Sequence, residues 1–312
     1  MPTPLPLPSP RLAAGPALGP ASLAGAAPRQ TTLAAAFDLS GRGLHTGRRA
    51  TVRVCPAAAD GGILFRRRLP RGTWTSVPAL WQHQVPQTLC TALQAPDGHL
   101  VRTVEHLLAA LSAFAIDNAL VEIDAEELPI FDGSALPWCA AIRAAGRAEL
   151  GTPRRRIRLR RIVEVRDGRR SLSIAPADAL SVEAQLSLAH LGEMRWEGTI
   201  TPETFEGALA PARSFGRLKW AVPLKLYALA TGRPILRGAT LSSTAAIVGG
   251  RVIGGMRGPA EPVRHRVLDL VGDLALAGHP ILGHVRAAHT GHALNHALVA
   301  KLMRDPGAWE LV

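Results

Sequence analysis

Apolar residues recur at helical spacing in two segments of the chain. Over residues 263–278, at about 100° per residue, Val267, Leu270, Val271 and Leu274 fall in one core-facing stripe. His265, Asp269 and Asp273 fall opposite them, at i, i+4 and i+8. Gly278 and Pro280 give the stop signal. Over residues 101–114, Val104, Leu107, Leu108 and Leu111 form a second stripe, with Glu105 and His106 off it. Two readings fit these polar faces. Either they are solvated, as most are, or they collect metal ligands, because side chains four apart on a helix lie one above the other.

The remaining pattern is mostly β-like. It turns so at Thr31, and strands are expected near residues 51–54, 62–65 and 119–124. Pro137 opens a helix that runs through about Ala145. The Gly151-Thr-Pro153 stretch is the best domain boundary. Residues 154–161 alternate arginine with Ile157 and Leu159, which predicts a strand with one exposed face. Further strands are expected at 171–174, 181–188, 240–248, 251–253 and 280–285, and helices at 202–210, at 219–232 and from about Thr290. Each half runs strands and then helices, so the fold class is α+β, although no internal repeat is visible. Residues 1–28, rich in Pro and Ala, read as a disordered tail. Residues 29–150 then form an N-terminal α+β domain and residues 151–312 a C-terminal one.

The net charge of +12 favours anionic partners. Nucleic acid does not fit, because no binding motif accompanies the charge and one Tyr and six Phe leave little for base stacking. Cys55, Cys90 and Cys139 are widely spaced, which excludes a thiolate zinc site or a disulfide framework. No apolar run approaches the ~20 residues of a membrane span. The Gly41-Arg-Gly-Leu-His-Thr-Gly47 turn lacks the ending of a phosphate-binding P-loop, and His45 is expected to be exposed on it.

Chemistry-bearing residues gather in three short motifs: Glu105-His106, His265-x3-Asp269-x3-Asp273, and Gly291-His292. Two His and one Asp make a zinc ligand set with an open fourth position, the catalytic arrangement. Glu105 is placed as base, His292 as acid, and Asp273 as the group that orients the acid.

These motifs, taken with others, resemble the UDP-3-O-acyl-N-acetylglucosamine deacetylases, zinc amidases of lipid A synthesis. The others are Gly43-Leu-His-Thr-Gly47, Leu89-Cys90-Thr91, Pro129-Ile-Phe-Asp-Gly-Ser-Ala135, Ala212-Arg-Ser-Phe-Gly216 and Thr290-Gly-His-Ala-Leu-Asn295. The resemblance runs in order from about Gln30 to the C-terminus. It implies two similar two-layer sandwiches, each with a small insert, and an active site between them. Zinc would be held by His106, His265 and Asp269, and Fe(II) can replace it in such a set. Glu105 would be the general base and His292 the general acid, paired with Asp273. Ser214, at a position usually Thr, would help hold the oxyanion. His45, Phe215, Arg266, Leu89 and Cys90 would contact the UDP-linked acylated glucosamine. The resemblance further implies a cytoplasmic monomer, with peripheral contact at the inner membrane.

Departures from the family cluster on the substrate side. Arg266 replaces a Lys, which exchanges a point charge for a planar fork. His289 also stands where Lys is common, Trp220 where Asp is, and Gln185 where Asp-Phe begins. A divergent paralogue acting on another acylated amino sugar is therefore a second reading. A non-catalytic basic binder of anionic lipid or nucleic acid is a third.

Overall fold

The structure, a computed structural model, describes residues 28–312. The tail expected over 1–28 therefore lies outside the described residues, except for Pro28.

The two halves share one plan. In the first, a five-stranded sheet places the hairpin Phe37–Arg42/Arg49–Pro56 on one side of a central strand, Ala119–Ile123, and the hairpin Ile63–Arg68/Trp74–Pro78 on the other. In the second, the hairpin Val163–Asp167/Arg170–Pro176 and the hairpin Ser181–Leu188/Gly192–Thr199 flank the central strand Ile281–Ala288 in the same way. Each central strand runs antiparallel to the hairpin that comes first and parallel to the one that follows. Two further strands, Ile157–Leu159 and Trp309–Leu311, extend the second sheet to seven. The repeat is invisible in sequence because a sheet needs only alternating apolar character, and different residues supply it. Val52, Val54, Val121 and Ile123 do so in one half; Leu172, Ile174, Val285 and Ala287 do so in the other.

Among the described residues there are six α-helices: α1 (Glu105–Ala113), α2 (Leu136–Ala145), α3 (Pro202–Thr204), α4 (Leu218–Thr231), α5 (Glu261–Leu274) and α6 (His292–Met303). In both halves one helix precedes the central strand (α1, α5) and one follows it (α2, α6). Helices α1 and α5 therefore occupy equivalent places, and they pack against each other. Both halves also carry an insert. Gln84–Val85, Ala92–Gln94 and Leu100–Arg102 form a small sheet before α1. Phe215–Arg217, Ala245–Val248 and Arg251–Val252 form another before α5, with α4 inside it.

Several expectations change in detail. The helix read from residue 101 begins at Glu105, because residues 100–102 are a strand and Thr103 sits at φ +58°. Gly151–Pro153 end a strand, Arg147–Pro153, paired with Arg29–Leu33. The segment 240–248 is extended only from Ala245. The arginine-rich strand keeps Ile157 and Leu159 buried, as its alternation predicts.

Candidate active site

Helices α1 and α5 do not have solvated polar faces. Glu105, His106, His265, Asp269 and Asp273 are each 4 % exposed or less. Five ionisable groups removed from water cost several kcal/mol per charge unless they are paired or bind a cation. Such a cluster is a functional-site signature.

Gly272 brings the two helices together. A Cβ on this residue would lie 2.1 Å from the Glu105 carbonyl oxygen, so backbone packs on backbone at the crossing. The first turn of α1 is thereby set against the last turn of α5. Gly272→Ala is expected to lower stability by about 1–3 kcal/mol, as overpacking does. It should also cut kcat/KM by roughly 10²-fold through displacement of Glu105. Thermal unfolding and steady-state kinetics measure the two effects.

His106, His265 and Asp269 form one group, with donor atoms within 4.8 Å of one another. Asp269 Oδ1 stands 3.4 Å from His265 Nε2 and 3.7 Å from His106 Nε2, too far for good hydrogen bonds. That oxygen is buried and has no hydrogen-bond partner among the described residues. Donors bound about 2.0–2.1 Å from one tetrahedral ion stand roughly 3.3 Å apart, so the orphaned oxygen and two imidazoles fit a cation. His265 Nδ1 donates to the Ala212 carbonyl at 3.1 Å, leaving the Nε2 lone pair for a metal. Burial pushes the His265 pKa down to about 4, so the ring is neutral, as a ligand must be.

A second group surrounds Asp273. Oδ2 accepts from His292 Nδ1 at 2.9 Å and from Asn295 Nδ2 at 2.8 Å. Oδ1 accepts from the Thr91 hydroxyl and from His296 Nε2 at 3.2 Å. Burial opposes the His292 charge, but Asp273 and Asp269 outweigh it and push the pKa up to about 10. His292 Nε2 is 3.7 Å from Glu105 Oε1. Burial raises Glu105 to about 7, and its other oxygen accepts from the Thr91 N–H at 3.1 Å.

The remaining candidates fall around this centre. Phe215 meets the His265 ring edge-on at 6.1 Å. The Arg266 guanidinium lies 5.0 Å over Phe215 and reaches to 3.7 Å from Asp269. Ser214 is tied by its backbone to Gly133 and Ala245. A Cβ on Gly133 would lie 2.2 Å from the Ser243 carbonyl oxygen, so the second insert closes directly onto the first half. Leu89 is exposed at φ +63°, and Cys90 behind it is buried, which raises its thiol pKa.

His45 is a correction: expected to be exposed, it is buried. The Glu127 carboxylate accepts the backbone N–H groups of His45 and Thr46, at 2.7 and 2.6 Å. Residues 236–238 of the second insert close over the loop, with the Arg237 and Gly238 N–H groups on the His45 and Leu44 carbonyls. A glycine-rich loop read alone gives no sign of a cover supplied by residues nearly two hundred positions away. Burial lowers the His45 pKa, against the opposing pull of the Glu127 carboxylate.

Sequence reasoning missed His296, Asn295 and Thr91 as partners of Asp273. The signal available was spacing, because His296 lies one turn beyond His292. It also missed the Arg213–Glu261 pair. Arg213 Nε and Nη2 donate to Glu261 at 2.8 and 3.0 Å, and the Arg213 N–H donates to the same carboxylate. This pair fixes the segment whose Ala212 carbonyl orients His265.

A buried donor set for one cation, beside a carboxylate and a carboxylate-held imidazolium, is the equipment of a metal-dependent hydrolase. Comparison with known proteins narrows the class. The model for the family described as LpxC, UDP-3-O-acyl N-acetylglycosamine deacetylase, matches residues 30–304, and the chain belongs to that family. A UDP-3-O-acyl-N-acetylglucosamine deacetylase of Myxococcus xanthus is 39 % identical over 288 residues, covering 91 % of this chain and 89 % of the relative. Relatives of the same name from Solibacter usitatus and Syntrophotalea carbinolica are 37 % and 36 % identical. Each alignment covers 91 % of this chain, with 94 % and 90 % of the respective relative.

Proposed function

We propose that this chain hydrolyses the 2-acetamido group of a UDP-3-O-(hydroxyacyl)-N-acetylglucosamine to the free amine and acetate, the committed step of lipid A biosynthesis, with zinc as the resident metal. The observation that carries the chemistry is the orphaned Asp269 oxygen between two imidazoles, with Glu105 and His292 beside it.

His106, His265 and Asp269 would hold a divalent cation, which would supply Lewis acidity toward the amide carbonyl and an attacking water. Glu105, adjacent to one ligand, takes the proton of that water. Burial raises the Glu105 carboxyl to about 7, and a cation held beside it would favour the ionised form. Attack at the carbonyl carbon places negative charge on its oxygen, and the Ser214 hydroxyl is the neutral donor for it. As the C–N bond breaks, His292 donates the proton on Nε2 to the departing amine. Asp273 holds Nδ1, so the proton to be given sits on Nε2, facing the site. His45, Phe215, Arg266, Leu89 and Cys90 are assigned to the substrate. Arg266, braced on Phe215, offers a planar cation where a phosphorylated ligand would approach. Gln185 accepts from the backbone N–H of His289 at 2.9 Å, so two departures from the family pattern are neighbours. That observation keeps a related acylated amino sugar as the second reading.

Among the described residues no helix is long and apolar enough to cross a membrane. The reading carries with it a cytoplasmic monomer that touches the inner membrane peripherally. The test is acetate release from the UDP-linked substrate, compared with an unlinked N-acetyl sugar. Chelation is expected to abolish turnover and added zinc to restore it, with Fe(II) as a parallel arm. Turnover that survives chelation overturns the metal assignment. Preference for the unlinked sugar overturns the substrate.

A further inference from the structure

Helix α4 is apolar nearly all round its circumference. Ala221 and Leu224 pack against a small cluster made of Leu44 and Ile130 from the first half and Leu236 from the insert, and Ala228 is buried. At about 100° per residue, Leu218, Leu229, Val222, Leu226, Tyr227 and Trp220 sweep roughly 200° on the other side. These six are all exposed, from 37 % at Leu218 to 67 % at Trp220. A helix with apolar residues on every side is ordinarily covered on every side. One acyl chain covers a strip, not an arc of this width.

The charges around α4 say what covers it. Between Glu206 and Glu261 the sequence holds no acidic residue and eight basic ones. Two of the exposed cations sit on the exposed aromatics: Lys219 Nζ lies 5.5 Å over the Trp220 ring, and the Arg233 guanidinium 5.6 Å over Tyr227. No carboxylate pairs with either cation among the described residues. The arginine-rich strand contrasts with this, because Arg154, Arg160 and Arg161 are paired with Asp117, Glu310 and Asp305. A second copy of this chain docking face to face would bring cation against cation. Trp and Tyr flanked by Lys and Arg around a broad apolar arc match the headgroup zone of an anionic bilayer.

We infer that α4 is an interfacial anchor that lays its apolar arc into an anionic phospholipid surface, with Lys219 and Arg233 on the headgroups. The inference supplies the surface for the peripheral contact proposed above, and it does not rest on the deacetylase assignment. The anchor holds the second insert, and with it the Ser243 backbone that packs on Gly133 beside Ser214, at the membrane, where acylated molecules concentrate.

The experiment is co-sedimentation of the full chain with vesicles of phosphatidylcholine alone or with a third phosphatidylglycerol, at low and high salt. Binding is expected only to the anionic vesicles, and it should weaken with salt over the Debye range. Lys219→Gln and Arg233→Gln are each expected to weaken it by about fivefold. Trp220→Ser with Leu226→Ser is expected to remove it, with circular dichroism and the melting temperature confirming an intact fold. Absence of binding, equal binding to neutral vesicles, or a concentration-dependent dimer abolished by the Trp220/Leu226 pair each overturns the inference. Acetate release, assayed separately without vesicles, reports on the deacetylase reading whatever the vesicles show.

Discussion

Replacing Glu105 with glutamine is expected to lower kcat by about 10²–10⁴-fold, with the metal content of the chain unchanged. The loss corresponds to about 2.7–5.4 kcal/mol at 1.36 kcal/mol per decade, the usual share of a positioned acid or base. Glutamine keeps the volume, and its carbonyl can still accept the Thr91 N–H that Glu105 Oε2 accepts at 3.1 Å, so the helix crossing at Gly272 survives. Glutamine cannot take a proton from water. Because Glu105 is not one of the three donors around Asp269, elemental analysis should find the same metal in both proteins. The paired measurement separates the two roles open to a buried carboxylate beside a ligand. Lost turnover with metal retained identifies the base, whereas lost turnover with lost metal makes it a ligand. Turnover within threefold of wild type overturns the assignment. His292→Gln should behave similarly and for the opposite reason, since glutamine has no labile proton to give the leaving amine. The Asp273 cluster would then lose one donor of four.

The helix pattern identified α1 and α5 as elements, and it separated Glu105, His106, His265, Asp269 and Asp273 from their apolar stripes. It could not decide between solvent and site, because a polar stripe looks the same in either setting. That distinction belongs to tertiary structure: two equivalent helices, one from each half, bury their polar stripes against each other. Gly272 marks the place in the sequence, yet a glycine inside a helical pattern reads only as a weakness until the partner backbone is seen 2.1 Å from its Cβ position. The family motifs carried the roles further than periodicity did. The burial of His45 was not legible for the same reason, since its cover arrives from the second insert. The shared plan of the two halves was hidden because sheets conserve alternation rather than residue identity. Helix α4 was legible as a helical segment at 219–232, one residue from its observed bounds. Only the structure shows which of its residues remain exposed.

Asp269→Asn is expected to remove the bound metal and with it all measurable turnover. The side chain keeps its shape but loses the anionic ligand, and a two-imidazole remnant is a poor site for a hard or borderline dication. Asp269 is suited to the anionic role. Burial alone would raise its pKa, but His265, His292 and His106 together hold it well below the usual carboxylate range. The shift favours the ionised carboxylate, the form a metal ligand needs. The cleanest readout is stability rather than activity. A ligand that binds only the folded state stabilises it by RT ln(1 + [L]/Kd), about 2.7 kcal/mol at a hundredfold excess over Kd. Added zinc should therefore raise the melting temperature of the metal-stripped wild type and leave that of the variant unmoved. The variant's own melting temperature, read without metal, shows whether it is folded, so a collapsed protein cannot be mistaken for one with an empty site. Should Asp269→Asn keep its metal through dialysis and melt higher with zinc, the ligand set would have to be sought elsewhere. The Asp273, His292 and His296 group, whose donor atoms also lie within 4.8 Å of one another, would be the next to test.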